Sequence, residues 1–329
     1  MVYPDERSGR VSVRSIAGME TKMRILVVGA GATGGYFGGR LAEAGRDVTF
    51  LVRPARAEQL RRTGLQIVSP HGDVTLQPQL VTAGQITAPY DVVLLTVKAY
   101  ALEAALADLA PAIGSNTAIF PLLNGMRHID VLTARFGEAA VLGGVCIVAA
   151  TIDKEGRIVQ LAGMQELVYG ERDGSASARI AAMDAVIPGA GFKAGSSPAI
   201  MQAMWEKWVF LATLGATTCL MRGTVGEIEA VPGGTDVALG ILAECTAIAT
   251  AVGYKPSEGH LERARSTMTA KGSPSASSMY RDMQQGGNVE VDQILGDLVA
   301  RGKTHGVATP LLSAAFVHLR VYQARVLAG

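Results

Sequence analysis

Arg24-Ile-Leu-Val-Val-Gly-Ala-Gly-Ala-Thr-Gly-Gly-Tyr-Phe37 joins a short apolar run to a Gly29-x-Gly31-x-x-Gly34 turn, and Leu41-Ala42 carry a helical pattern onward. Strand, glycine turn and helix in this order suit a dinucleotide pyrophosphate. Gly29 permits the tight turn, Gly31 lets the backbone approach the phosphates, and Gly34 lets helix and strand pack closely. The phosphates then meet unsatisfied N–H groups at the helix start, where Ala32 and Thr33 stand. In a chain with 39 glycines such a turn is weak by itself. A second apolar run, Val48-Thr-Phe-Leu-Val52, lies at the distance a βαβ unit requires and strengthens it.

The bulk numbers bound what such a site can serve. At 329 residues the chain is long enough for two domains, and 49% hydrophobic with 18% charged residues describes a well-buried globular protein. A net charge of +1 provides no field for gathering nucleic acid or an anionic membrane. Cys146, Cys219 and Cys245 sit in apolar surroundings without metal-ligand spacing, so no metal is expected and the thiols read as core residues in a reducing compartment. The longest uncharged run in a helical context, Trp208–Met221, is short of the roughly 20 residues a membrane span needs. A soluble, cytoplasmic protein is expected, with no nucleic-acid or membrane partner. Residues 1–22 mix Arg7, Arg10, Arg14 and Lys22 with Asp5, Glu6 and Glu20 around no signal-like apolar core, and are expected to form a disordered leader outside the fold.

From Met23 to about Gly195 strands and helices alternate, which predicts an α/β domain with a doubly wound parallel sheet. Strands are expected at Ile25–Val28, Val48–Val52, Val92–Val97, Ala118–Leu122 and Val141–Ala150, each nearly continuous in apolar residues. Helices are expected at Thr33–Ala44, Ala57–Arg62, Ala101–Ala112 and Ile129–Phe136. Asp153-Lys-Glu-Gly-Arg157 reads as a hairpin turn before Ile158–Leu161, with Gln165–Tyr169 as one more strand and an antiparallel far edge. Beyond Gly195-Ser-Ser-Pro198 only helical periodicity remains: Ala199–Leu220, Thr235–Ala251, Leu261–Thr269, Ser277–Gln285, Val289–Arg301 and Leu311–Val326. The expected organisation is a nucleotide-binding domain over residues 23–195 and an all-helical substrate and catalytic domain over 196–329.

The end of the second strand decides which nicotinamide cofactor fits. An NAD site places a carboxylate there for the ribose 2′-OH, but Thr49-Phe-Leu-Val-Arg53 has none between Asp47 and Glu58. Arg53, with Arg56 following, suits a 2′-phosphate, so NADP (as NADPH) is expected. The competing interpretation is a solvated loop arginine.

Three constellations offer chemistry. Thr96-Val-Lys98 and Leu122-Leu-Asn124-Gly-Met126 close two parallel strands at the carboxyl ends, where doubly wound sheets bind ligands. Taken alone, Asn-Gly is a turn and Lys98 a helix-start lysine. Lys207 is the last charge before Trp208–Met221, and partial desolvation there favours release of its proton. Alone, it reads more readily as a lysine snorkelling to the surface. Glu290, Ile294 and Leu298 align at i, i+4 and i+8, so Glu290 borders an apolar stripe; alone, it reads more readily as a helix-start charge on the dipole.

These pieces, in this order, resemble the ketopantoate reductase (2-dehydropantoate 2-reductase) family. The matching elements are Gly29-x-Gly31-x-x-Gly34, Arg53, Thr96-x-Lys98, Asn124-Gly125-Met126, Trp-x-Lys207, Ser277-Ser278-Met279-x-x-Asp282 and Glu290-x-Asp292, over nearly the whole chain from Met23. The resemblance implies a Rossmann domain followed by a helical domain, with the active site in the cleft between them. It implies reduction of 2-dehydropantoate to (R)-pantoate with NADPH, a step toward pantothenate. By that resemblance Lys207 is the general acid, and Glu290 orients the substrate or the lysine. Asn124 and Ser278 contact the substrate, and Lys98 lies near the cofactor with Asn124. A small 2-keto acid is then the expected partner, and a homodimer is compatible. The chain departs from the family at Leu211, Gly215 and Val225, where asparagines are usual. Each lost hydrogen bond to substrate costs roughly 1 kcal/mol, and together they reshape the pocket toward a more apolar or bulkier 2-keto acid. The alternatives carried forward are a reductase of a different small oxo acid and a non-catalytic NADPH-binding regulator, the latter disfavoured because Lys207 and Glu290 are both present.

Overall fold

Residues 23–328 are described by a computed structural model; the expected leader, residues 1–22, lies outside the described residues. The first half runs β1 (Arg24–Val28), α1 (Ala32–Glu43), β2 (Asp47–Leu51), α2 (Pro54–Thr63), β3 (Leu65–Val68), β4 (Val74–Leu76), β5 (Gln79–Val81), β6 (Val92–Leu95), α3 (Leu102–Leu109), β7 (Ala118–Pro121) and α4 (Arg127–Phe136). It continues with β8 (Gly143–Ile152), β9 (Ile158–Gly170), α5 (Ala178–Val186) and β10 (Lys193–Ser196). Five of these strands form a parallel sheet in the order β5-β2-β1-β6-β7. Strand order reverses direction on either side of β1, so a crevice opens between β1 and β6 at their carboxyl ends. The period of two divides the core. Leu26 and Val28 pack with α3, α4 and the later helices, while Ile25 and Val27 pack with α1 and a second sheet.

That second sheet is a departure from the sequence pattern, which places the far strands on the edge of the first sheet. β8 starts beside β7 through a parallel bridge between Ile119 and Val141, then leaves to pair antiparallel with β9 in a sheet ordered β10-β9-β3-β4. Ile158–Leu161 and Gln165–Tyr169, expected as separate strands, belong to one long β9. The cause is α1, which lies between the sheets and ties Tyr36 Oη to the Gln160 and Gln165 side chains of β9. Its Gly39 faces Ile67 of β3, while Gly38 faces Phe50 of β2, so two layers approach one helix closely. The short strands β3, β4, β5 and β10, of 3 to 4 residues each, carry too little pattern to be anticipated.

The second half is helical: α6 (Ile200–Met221), α7 (Val225–Glu229), α8 (Gly234–Val252), α9 (Glu258–Met268), α10 (Ser278–Gln284), α11 (Asp297–Thr304) and α12 (Pro310–Ala328). The expected single helix over 289–301 is interrupted: Glu290 precedes it, and Asp292–Gly296 form a π-turn before α11. One extra residue in that turn preserves the apolar stripe while widening the backbone, a distortion often found at functional sites. α8 is long and apolar enough by composition to cross a membrane, yet it packs against α6, α11 and α12. Its Glu244 carboxylate accepts from the backbone N–H groups of Leu311 (3.0 Å) and Leu312 (2.8 Å), which caps the start of α12.

Candidate active site

The glycine turn is shaped by sterics that the structure makes explicit. Gly29 has φ +97°, a conformation other residues adopt only with strain. A Cβ on Gly34 would run into the Thr96 hydroxyl and the Gly29 carbonyl, so this position must be bare for α1 to meet β6. Thr96 Oγ1 donates to Val28 O (2.8 Å) and Gly29 O (3.1 Å), which pins the turn to the end of β6. Gly31 differs: nothing lies within 4 Å of where its Cβ would stand. Among the described residues no side chain caps α1 and no acidic residue occupies its first turn, so the N–H groups at Ala32 and Thr33 face an open cradle. That cradle fits a phosphate.

The two arginines after β2 have separate fates. Arg56 is spent internally, donating to Gln59 Oε1 (2.6 Å), Gly156 O (3.0 Å) and Ala30 O (3.1 Å), with burial holding its guanidinium below the usual arginine value. Arg53 stands at the N-terminus of α2, exposed, and its guanidinium has no hydrogen-bond partner among the described residues. A 2′-phosphate therefore has one arginine available.

At the neighbouring strand end Lys98 Nζ lies 3.2 Å from Asp282 Oδ2 and 3.3 Å from Glu290 Oε2. The other Glu290 oxygen accepts from the Ala99 N–H at 3.0 Å. Burial opposes the charge on Lys98, but the Glu290 and Asp282 carboxylates outweigh it and hold the ammonium above its ordinary value. Glu290, expected to orient substrate or Lys207, is thus engaged with the 98–99 segment. Ser278 is exposed one helical turn before Asp282 on α10, so both share the face turned to Lys98. Its neighbour Ser277 is structural, capping α10 through an Oγ that accepts from the Tyr280 N–H at 3.0 Å.

Lys207 is placed separately, and among the described residues no hydrogen bond or ion pair joins it to Lys98, Asp282, Glu290 or Ser278. Ile200, Met204 and Lys207 form one face of α6 laid along β8. A Cβ on Gly143 would come within 2.8 Å of Ile200, the Gly144 N–H donates to Met204 Sδ at 3.3 Å, and Lys207 Nζ donates to Cys146 Sγ at 3.7 Å. Among the described residues no carboxylate pairs with Lys207. Leu211 and Gly215 continue its side of α6 by one and two turns. A Cβ at Gly215 would meet Met279 Cε at 2.9 Å, so a methionine fills that place. Val225 is 1% exposed and packs with Leu214, Ala238 and Met268, so it is a core residue.

The π-turn binds these parts together. Trp208 Nε1 donates to Ile294 O at 2.9 Å, next to Lys207 in sequence. Gly125 (φ +78°) presses against the Gln293 carbonyl, and Gln293 Nε2 lies 3.2 Å from His128 Nδ1. Asn124, half-buried in this turn, makes no hydrogen bond to a described residue. An amide nitrogen can only donate, so Nδ1 of His128 accepts and Nε2 carries the proton without a partner. Burial and then the charge on Lys207 push this fully buried imidazole down to about 3 from 6.5. Its unfolded form therefore binds a proton that the folded form rejects, and stability present above pH 6.5 is lost as the pH falls toward about 3. Unfolding titrations across this pH range should be flatter for His128→Gln than for the parent chain; equal slopes would show that His128 does not control acid sensitivity.

Cys146, His128 and Gln293 were not legible as site residues. A cysteine in an apolar strand and a histidine in a helix have no spacing signal that links them to a lysine 60 or more positions away.

Two family models match the chain: "Ketopantoate reductase PanE/ApbA" over residues 25–174 and "Ketopantoate reductase PanE/ApbA C terminal" over residues 199–323. The chain is 38% identical over 302 residues to "Uncharacterized oxidoreductase YkpB" of Bacillus subtilis, covering 92% of this chain and 99% of that one. It is 30% identical over 295 residues to a 2-dehydropantoate 2-reductase of Halobacterium salinarum, covering 88% and 95%. The crystal structure of 2-dehydropantoate 2-reductase from Geobacter metallireducens superposes with a TM-score of 0.82 at 28% identity, over 91% of this chain and 99% of that one.

Proposed function

Because this chain belongs to the ketopantoate reductase family of oxidoreductases, we propose that it reduces a 2-keto acid with NADPH, with Lys207 as proton donor. The observation that carries this reading is Lys207 itself: a lysine free of carboxylate partners among the described residues, packed on β8 beside the strand end that bears Asn124. Gly29, Gly31, Ala32, Thr33 and Gly34 would hold the pyrophosphate, Arg53 the 2′-phosphate, and Lys98 with Asn124 the inner part of the cofactor. When bound, the reduced nicotinamide supplies a hydride. As negative charge builds on the ketone oxygen, the Lys207 ammonium stabilises it and gives up a proton from Nζ. Asn124 has an unspent amide for the substrate, and Ser278 an exposed hydroxyl. Glu290 fixes the 98–99 segment through the Ala99 N–H and, with Asp282, holds the Lys98 ammonium in place.

The default substrate is 2-dehydropantoate, reduced to (R)-pantoate on the way to pantothenate. A different oxo acid is the second reading, favoured by the apolar wall of Leu211 and of Met279 lying over Gly215. Steady-state NADPH oxidation with 2-dehydropantoate and a panel of other 2-oxo acids separates the two. Weak turnover of 2-dehydropantoate beside a much better apolar substrate would overturn the default. Arg53→Ala should weaken NADPH about tenfold or more and NADH hardly at all, as loss of one charge-assisted contact predicts. Equal weakening of both would remove Arg53 from 2′-phosphate recognition.

A further inference from the structure

The side chain in hydrogen-bond contact with Lys207 Nζ is a thiol. We infer that Cys146 is a positioning residue for Lys207: its sulfur holds the ammonium at the end of β7 without forming an ion pair. This rests on the reading of Lys207 as proton donor.

Two contacts define the arrangement. Cys146 Sγ donates to the Leu122 carbonyl at 3.7 Å and accepts from Lys207 Nζ at 3.7 Å. The carbonyl fixes the thiol rotor, so the sulfur lone pairs are left for the lysine. Leu122 stands two residues before Asn124, so the chain Lys207–Cys146–Leu122 sets the lysine against the strand end that carries the candidate substrate ligand. Cys146 is 9% exposed, which shields these weak contacts from competing water.

The choice of acceptor matters chemically. A carboxylate here would form an ion pair, stabilise the charged amine and make its proton harder to release. Sulfur is a weak, polarizable acceptor that orients the amine while leaving it free to turn to a stronger acceptor such as a developing alkoxide. His128, which feels the Lys207 charge, is neutral and adds no competing anion.

Cys146→Ala and Cys146→Ser test this, with NADPH and the better substrate of 2-dehydropantoate and phenylglyoxylate. Cys146→Ala should lower kcat about tenfold with KM for NADPH within twofold of the parent and an unchanged melting temperature. Cys146→Ser, whose hydroxyl also accepts from an ammonium, should recover kcat to within about threefold. In a Lys207→Ala background, Cys146→Ala should have no further effect on kcat, since both act through one group. Full kcat in Cys146→Ala, equal losses in both Cys146 variants, or an additive loss in the double variant would each overturn the assignment. Full activity in Lys207→Ala alone would instead defeat the proton-donor reading, a result visible independently of Cys146.

Discussion

Replacing Lys207 by alanine is expected to lower kcat by at least about a hundredfold while NADPH affinity stays within about twofold, as for loss of a positioned general acid. A hundredfold corresponds to about 2.7 kcal/mol of lost transition-state stabilisation. The geometry argues for a selective effect. Lys207 is on α6, whose Ile200–Met204–Lys207 face is seated on β8, whereas the proposed phosphate cradle is built by β1, α1 and Thr96. Truncating the side chain removes a weak contact to Cys146 and no ion pair among the described residues, so the fold has little to lose. Stopped-flow single turnovers together with a binding titration check both halves. Unchanged turnover would take Lys207 out of the mechanism and leave the non-catalytic reading standing.

The second large effect distinguishes two glycines that look alike in sequence. Gly31→Ala should fold like the parent, because its φ of −84° suits any residue and its added methyl meets no protein atom within 4 Å. On the proposed reading the methyl would occupy the space where backbone and pyrophosphate approach, so NADPH binding should weaken by about tenfold to a hundredfold, in line with an overpacking cost of roughly 1–3 kcal/mol. Gly34→Ala should behave in the opposite order. Its methyl collides with Thr96 and the Gly29 carbonyl, so the melting temperature falls first and binding follows. Calorimetry on both variants decides the matter. If Gly31→Ala binds NADPH at full strength, the phosphate does not sit on this turn.

The glycine turn, the parallel strands and most of the later helices were readable because each depends on local periodicity and on turn chemistry. Arg53 was readable as the absence of a carboxylate after β2. That Arg56 would be consumed by Ala30 and Gly156 was not, since three positions along a helix start separate an exposed side chain from an inward strut. The departure of β8 into a second sheet was hidden because its apolar run fits either sheet; the choice is made by α1 packing between them. The π-turn was hidden because Glu290, Ile294 and Leu298 satisfy an α-helical spacing that does not reveal the extra residue. Val225 was read with Leu211 and Gly215 from its place in the chain, and burial in a separate core cluster removes it from the cleft.

Helix α1 carries glycine at 34, 35, 38 and 39 among its 12 residues. Each costs about 1 kcal/mol of intrinsic helix preference relative to alanine, so the segment has little tendency to coil by itself. Its order is borrowed from Phe50 on one side and from Ile67 on the other. The cradle should therefore assemble late, after both sheets have condensed, and amide exchange along α1 should open together with β3 and β9 well before the β1–β6 pair. A nucleotide arriving on this helix would act as the last element of folding, so the empty and loaded forms should differ most in how long α1 keeps its protons.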